Sequence, residues 1–404
     1  MNHIAAAAAP RQQAGLGILM GQSLCNLVLV LLLALPAAPS PAQAPAPRWT
    51  AAALADLHKW IAKAPEDALP APDASALEAA ERVGDGAAVD KAADALALKL
   101  ARMHLIGCCG ANHAGWHIVD TDRTDDLPAR LTAAVAAGTL DAFLAGLEPA
   151  NPDYAALRAA YATEQDPARR TTLARNMERW RWLPRDPGQG GGGRYLLVNT
   201  AAFEVRYWAD GKLVDRRAVI NGKVSSPTPI FAARVTGITF NPWWEIPANI
   251  VREGIGKLAA TNPALARARG YTWSGGKYRQ RPGPTNSLGL MKLVMPNPWN
   301  IYLHDTPSKA LFARPVRAFS HGCIRVSEAL GFAATLMGQD KGAIDGIVAA
   351  GATTTVPLPA PMPVYIAYFT AGLGPDGQVA YYPDIYKRDG AMGDMKDNKP
   401  FCAA

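Results

Sequence analysis

Alanine and leucine recur at helical spacing from Thr50 to about Arg175, as in "AAVDKAADALALKLARMHL" and "LPARLTAAVAAGTLDAFLAGL", and then the pattern stops. From Asn176 the texture becomes "NMERWRWLP", the glycine run "GQGGGGR", and then "YLLVNTAAFEVRYWADGKLVDRRAVING". The last stretch predicts two alternating strands around an Asp210-Gly211 hairpin turn. One chain therefore holds two kinds of periodicity in succession. It is predicted to be α+β, with an Ala-rich helical module over 50–175 and a mostly β domain over 176–390. A short Pro/Ala linker at 45–50 and a loose tail at 391–404 flank them. "VGDGAAVD" (83–90) and "EPANPDY" (148–154) interrupt the helices of the front half. In the back half, "SSPTPIFAARVTGITFNPWW" continues the short strands and a helix-like insert follows from Ala248 to about Arg269. "SEALGFAATLMG" predicts a helix with Ser327 as N-cap, and "VYIAYFTAGLGPDGQVAYYP" a closing strand pair.

Residues 1–44 contain a single charged side chain, Arg11, and an apolar run from Leu24 to Leu35. That run is the length of a signal-peptide core rather than a bilayer span, so export to the periplasm is expected, with an uncleaved anchor as the alternative. Ala42 and Ala44 offer cleavage sites, and Cys25 precedes the run and so is not placed as a lipoprotein cysteine. An oxidising compartment favours paired thiols, yet Cys25, Cys108, Cys109, Cys323 and Cys402 leave an odd set once Cys25 and one free thiol are set aside. Cys323 is the candidate for that free thiol.

The formal net charge of +7 is unevenly spread: residues 51–175 carry 12 Lys/Arg against 18 Asp/Glu, and residues 176–404 carry 27 against 16. A balance of +11 in the back half suits either solubility or an anionic substrate. No basic-aromatic motif points to nucleic acid, and no soluble cofactor or metal is expected.

The densest chemistry lies in "AFSHGCIRVSE" (318–328), which lines up Ser320, His321, Gly322, Cys323 and Arg325. A thiol with an ordinary pKa of about 8.5 is only a few per cent thiolate at neutral pH, so Cys323 needs a base. His321 sits two residues away, on the same face of an extended strand but some 6.5 to 7 Å off, whereas His304 in "IYLHDTP" comes from a separate strand end and can face the thiol. Gly322 permits close backbone approach, so the N–H groups of Gly322 and Cys323 are candidate oxyanion donors, with His321 positioning them. The set suits acyl transfer through a thioester.

"SHGCIR", preceded by "YLHDT", resembles the active-site signature of the YkuD-type L,D-transpeptidases. "NMERWRWLP", "FNPWWEIP", "RPGPTNSLG", "PNPWNIYLHDTP" and "DIYKRDG" are similar to the large periplasmic YcbB-like branch of that family, over roughly residues 176–390. The resemblance implies a mostly β catalytic domain with a helical cap over about 248–278, behind a helical scaffold. It implies Cys323 as nucleophile and His304 as general base, with the imidazole oriented either by the Ser320 side chain or by the backbone near His304 and Asp305. Arg325, Tyr302 and Asp305 would bind substrate. Implied partners are peptidoglycan stem peptides, and carbapenem-class β-lactams as inhibitors. The peptidoglycan-binding domain common in that branch has no counterpart here, since "YATEQDPARRTTLAR" joins scaffold to "NMERW" directly.

The implied reaction is 3-3 cross-linking of peptidoglycan with release of D-alanine. The same site could instead attach an outer-membrane protein to the wall or hydrolyse that linkage, and a non-catalytic wall-binding protein is the reading from another class. "HLIGCCGANHAGWH" places His104, Cys108, Cys109, His113 and His117 at metal-like spacings, but a disulfide, for instance to Cys402, or plain packing suits an exported chain better. Trp180, Trp182, Trp243, Trp244 and Trp299 read as core, with Trp243 or Trp244 as alternative substrate contacts.

Overall fold

The computed structural model describes residues 48–108, 115–118 and 124–392. The expected signal segment, Cys25, Cys109, His113, Cys402 and almost all of the expected tail lie outside them.

The alanine-rich region forms helices α1 (Ala51–Lys63), α2 (Ser75–Val83), α3 (Gly86–Ile106), α4 (Leu127–Ala136), α5 (Leu140–Ala145), α6 (Pro152–Thr163) and α7 (Pro167–Arg181). Polar residues at their starts do what their chemistry allows. Thr50, Asp85, Asn151 and Asp166 each accept a backbone N–H of the first turn, and Gly84 ends α2 in a left-handed conformation (φ 76°). Leu57, Trp60, Leu77, Leu100, Leu127, Leu140 and Leu144 close the helical core. Fully burying one such apolar side chain contributes about 1.5–3 kcal/mol.

Two boundaries differ from the sequence reading. The linker at 45–50 is docked at its end: Trp49 is buried, and its backbone and indole N–H groups donate to Asp90 and Asp94 at 2.9 Å. The border at 175/176 falls inside α7, which runs to Arg181 before the strands begin at Arg194. The cause is that α7 belongs to both halves. Leu173, Met177 and Trp180 share a core with Tyr195, Trp208 and Phe369 of the β domain, and Asn176 exchanges two hydrogen bonds with Thr370 (2.9 and 2.8 Å).

The β domain is built on β1 (Trp116–His117), β2 (Arg194–Asn199), β3 (Glu204–Ala209), β4 (Lys212–Gly222), β5 (Ile230–Phe240), β6 (Trp244–Glu245), β7 (Tyr271–Ser274), β8 (Lys277–Gln280), β9 (Met291–Val294), β10 (Leu303–His304), β11 (Ala318–Ser320), β12 (Ile324–Val326), β13 (Thr354–Ala367), β14 (Ala371–Leu373) and β15 (Val379–Tyr381). The main sheet runs β1-β5-β13-β2-β3-β4-β12-β10-β9, and β9 pairs back onto β5. That last pairing closes the sheet and leaves no open edge between β5 and β9. The stretch read as two strands is three, since Asn199 to Phe203 turns the chain between β2 and β3 before Asp210 and Gly211 (φ 49° and 73°) turn it again.

The insert between β5 and β9 comprises β6, helix α8 (Ala248–Ile250), a π-helical turn (Val251–Ile255), α9 (Gly256–Thr261), α10 (Pro263–Ala268) and the β7–β8 hairpin. After β12 come α11 (Ala329–Met337) and α12 (Lys341–Ala349). Ser327 is not the N-cap of α11. Its N–H is still committed to Ala218 on the β4 edge, so the N-cap falls one residue later, at Glu328, with φ 47° and no side-chain cap.

Candidate active site

Two very short parallel strands assemble the site. In the β10–β12 register Leu303 lies opposite Ile324 and His304 opposite Arg325, so Tyr302 lies beside Cys323. Leu303 and Ile324 are fully buried in the barrel core. Because side chains alternate along a strand, the residues on either side of this pair share the other face. Tyr302, His304, Cys323 and Arg325 thus form a two-by-two patch, with the Tyr302 and His304 rings 5.7 Å apart.

His304, Ser320, His321, Cys323 and Arg325 line one cavity of about 460 Å³, roofed by the insert through Ile250, Ile255 and Tyr271. The half-buried Cys323 thiol is raised above its ordinary pKa by burial. The backbone N–H and hydroxyl of Tyr302 pull it back down, as do the charges of Arg325 and Lys292. His304 is held neutral: burial, with Arg325 second, lowers it to about 4. Its Nδ1 lies 2.5 Å from the Asp305 carbonyl, which can only accept, so Nδ1 carries the hydrogen and Nε2 is the basic nitrogen. The Arg325 Nε is buried without a hydrogen-bond partner.

Several residues stand in other places than expected. Ser320 does not touch the imidazole. Its Oγ donates to the Cys323 carbonyl (2.6 Å) and accepts the Gly322 N–H (3.1 Å), which pins the turn between β11 and β12. The Gly322 N–H is therefore spoken for by Ser320, and the Cys323 N–H is the remaining oxyanion candidate of the pair. Gly322 itself is required, since φ is 119° and a Cβ would lie 2.9 Å from Ile301 Cδ1. Asp305 is buried in the wall rather than lining the cavity: its carboxylate accepts the Leu290 N–H (2.9 Å) and pairs with Lys309, and only its carbonyl serves the site. Tyr302 reaches the thiol rather than open cavity. The His321 ring turns to the insert, with Nε2 at 2.7 Å from Glu253 Oε2 and 3.3 Å from Lys223 Nζ. Trp244 lines the cavity, whereas Trp243 sits under Arg279, 4.9 Å from the ring centroid.

The clamp behind the turn was not read from the sequence. Lys223 N–H bonds the Ser320 carbonyl, Ser226 Oγ the His321 carbonyl and Thr228 Oγ1 the Gly322 carbonyl, at 2.8, 3.2 and 2.8 Å. The only sequence signal was a cluster of hydroxyls in "GKVSSPTP", which reads equally well as an ordinary loop.

Of the residues at metal-like spacings, the described ones take separate partners, and Cys109 and His113 lie outside the described residues. His117 packs on Trp299 at 5.2 Å, and Cys108 gives its backbone N–H to Glu178 at 2.8 Å. His104 instead lies with Asp67 and Glu148, their ligand atoms within 4.8 Å of one another. Both carboxylates already hold cations, Lys63 on Glu148 at 2.8 Å and Arg158 on Asp67 at 2.5 Å.

Residues 193–356 match the family model of the L,D-transpeptidase catalytic domain, and residues 42–160 match a family described as a Scaffold domain. A Haemophilus influenzae protein bearing the name of an L,D-transpeptidase is 30% identical over 240 residues, 54% of this chain. The chain spans about half, 48%, of that relative's length. Among solved structures, a Mycobacterium smegmatis L,D-transpeptidase covers 43% of this chain and 58% of its own (13% identity, TM-score 0.26). An Enterococcus faecium L,D-transpeptidase covers 68% and 82% (12%, 0.24), and an L,D-transpeptidase in complex with imipenem 43% and 59% (16%, 0.23).

Proposed function

With an L,D-transpeptidase catalytic domain over residues 193–356, we propose that this chain cross-links peptidoglycan in the periplasm through an acyl-enzyme on Cys323. The observation that carries this reading is the two-by-two patch, which puts a neutral imidazole and a hydrogen-bonded thiol on one sheet face lining a common cavity. His304 Nε2 takes the thiol proton as Sγ attacks the carbonyl between the L-centre of meso-diaminopimelate and the terminal D-alanine of a tetrapeptide stem. The C–N bond breaks, the proton passes from His304 to the departing amine, and D-alanine leaves. The side-chain amine of a second stem then attacks the thioester, gives up a proton to His304 and restores the thiol, leaving a 3-3 link. Tyr302 stabilises the negative charge that builds on Sγ as its proton leaves, and the Cys323 N–H and Arg325 supply positive potential for the tetrahedral oxyanion.

The same thiol would open a carbapenem ring and stay acylated. The test is to incubate the protein with a disaccharide-tetrapeptide and with imipenem and to follow both by mass spectrometry. Free D-alanine, a 3-3 dimer and a drug adduct on Cys323 are expected, all lost in Cys323→Ala. An intact tetrapeptide beside a Cys323 that is readily alkylated would overturn the reading.

A further inference from the structure

The cavity wall beside the thiol is not held by the matched catalytic domain alone. Trp299, Asn300 and Ile301 line it in succession, and the Asn300 carbonyl accepts the Cys323 Sγ–H at 3.7 Å. Asn297 knots this loop into a fixed turn. Its Nδ2 donates to the Met295 and Ile301 carbonyls at 2.7 Å, and its Oδ1 accepts the N–H groups of Trp299 and Ile301 at 3.2 Å. A turn tied internally in this way moves as one piece, so whatever holds Trp299 sets where the Asn300 carbonyl meets the sulfur.

Two rings hold Trp299. The Phe231 ring lies 4.7 Å from it at 33°, and the His117 ring 5.2 Å from it at 38°. Both separations are those of attractive ring pairs. Phe231 and His117 are register partners in the parallel β5–β1 pair, so they project from one sheet face and form a shared platform. The two halves of that platform have different origins. Phe231 is fully buried in the barrel core and falls within residues 193–356, whereas β1 falls within residues 42–160, the Scaffold match. The strand is anchored through the residues on either side of His117: Trp116 and Ile118 are buried, and Trp116 meets Trp182 edge-on at 5.1 Å. His117 is the exposed member of the strand and is left to cover Trp299.

We propose that His117 is a positioning residue for the Cys323 chemistry: through it the scaffold part of the chain completes the Trp299 platform and fixes the Asn300 carbonyl against the thiol. This rests on the acyl-transfer reading and adds to it a dependence of the site on a strand outside the catalytic domain. The His117 imidazole does not itself line the cavity. It serves as a flat surface, so another aromatic ring can take its place.

The test uses the full chain and two readouts, single-turnover acylation by imipenem and the pH midpoint of Cys323 alkylation by iodoacetamide. They are measured in the wild type, His117→Ala, His117→Phe, Trp299→Leu and the double variant His117→Ala with Trp299→Leu. His117→Ala is expected to lower the limiting acylation rate about threefold to tenfold, below the roughly 10²-fold that a full ångström of misplacement can cost. The alkylation midpoint should move down, because a thiol that loses its carbonyl acceptor loses stabilisation of its protonated form. His117→Phe should restore both readouts, which a role for the imidazole nitrogens would not allow. The double variant should be no slower than Trp299→Leu alone, since both substitutions act through one ring. His117→Gln, without a ring, repeats the comparison should the alanine variant not fold. An unmoved midpoint in His117→Ala overturns the proposal, as do losses that add in the double variant or a His117→Phe as slow as His117→Ala. If imipenem leaves Cys323 unmodified in the wild type while the midpoint still shifts in His117→Ala and returns in His117→Phe, the positioning role stands and the acyl-transfer reading falls.

Discussion

His104 in the helical module and His304 in the β domain are buried to 0% and 5% exposure, and burial drives both below the ordinary imidazole range, to about 3 and about 4. His104 is packed edge-on against Trp60 (5.1 Å), and neither of its ring nitrogens has a hydrogen-bond partner. The neighbouring Lys63, Arg158 and Arg181 depress its basicity further. His304 has one nitrogen committed to Asp305 and lines the cavity that holds a thiol. A displaced pKa therefore marks burial in both regions, and only the oriented tautomer and the thiol in the same cavity make one of them a candidate base.

The sharpest way to break that contrast is to delete each ring. His304→Ala is expected to lower the acylation rate of Cys323 by about 10² to 10⁴, the usual worth of a general base. His104→Leu should leave the rate within about twofold, because it touches no group of the site. Comparable losses in single-turnover assays would mean that the helical module acts on the chemistry.

Acid titration of stability should move both histidines in the same direction. Each is neutral in the folded chain and has an ordinary value near 6.5 when unfolded, so the stability it contributes is complete above pH 6.5. It is lost as pH falls, down to about 4 for His304 and about 3 for His104. For His304 the difference corresponds to about 3 kcal/mol. Asp67 runs the other way, since burial, with Glu148 second, raises it to about 6, and its protonation favours the fold as pH drops below that value. Urea melts between pH 7 and 4 should show a net loss, and His104→Leu should flatten the curve more at the acid end than His304→Ala does.

Tyr302→Phe tests the thiol's half of the contrast. Loss of the hydroxyl that lowers the Cys323 pKa should move the pH midpoint of iodoacetamide alkylation upward and slow acylation roughly threefold to tenfold. An unmoved midpoint would assign thiolate stabilisation to the Tyr302 backbone N–H, Arg325 and Lys292. The smallest effect is expected in the thermal midpoint of His104→Leu at pH 7. An unpartnered ring is replaced by an apolar side chain of similar bulk, so the midpoint should hold or rise by about a degree or two. A drop of many degrees would reveal a partner, such as a buried water, that His104 depends on.

Much of the architecture was legible in the residues. Alanine and leucine at helical spacing, Asp210-Gly211 and the thiol motif announce helices, a hairpin and a candidate nucleophile, because periodicity, turn dihedrals and thiol reactivity are local properties. The same locality made Ser327 look like a cap and the 175/176 change of texture look like a border. A serine held in a strand ladder and a helix whose core draws on both halves look no different one residue at a time.

By itself, then, the sequence determined which groups could react and which segments could be helix or strand. Tertiary structure alone decided which groups meet. The register of β10 against β12 selects His304 as the thiol's companion on one sheet face and turns His321 out to Glu253. It also gives Ser320 to the turn and Asp305 to the wall. The physical reason is that hydrogen-bond partners and proton affinities depend on distances of a few ångströms between residues far apart in the chain, and those distances exist only once the barrel closes β9 onto β5.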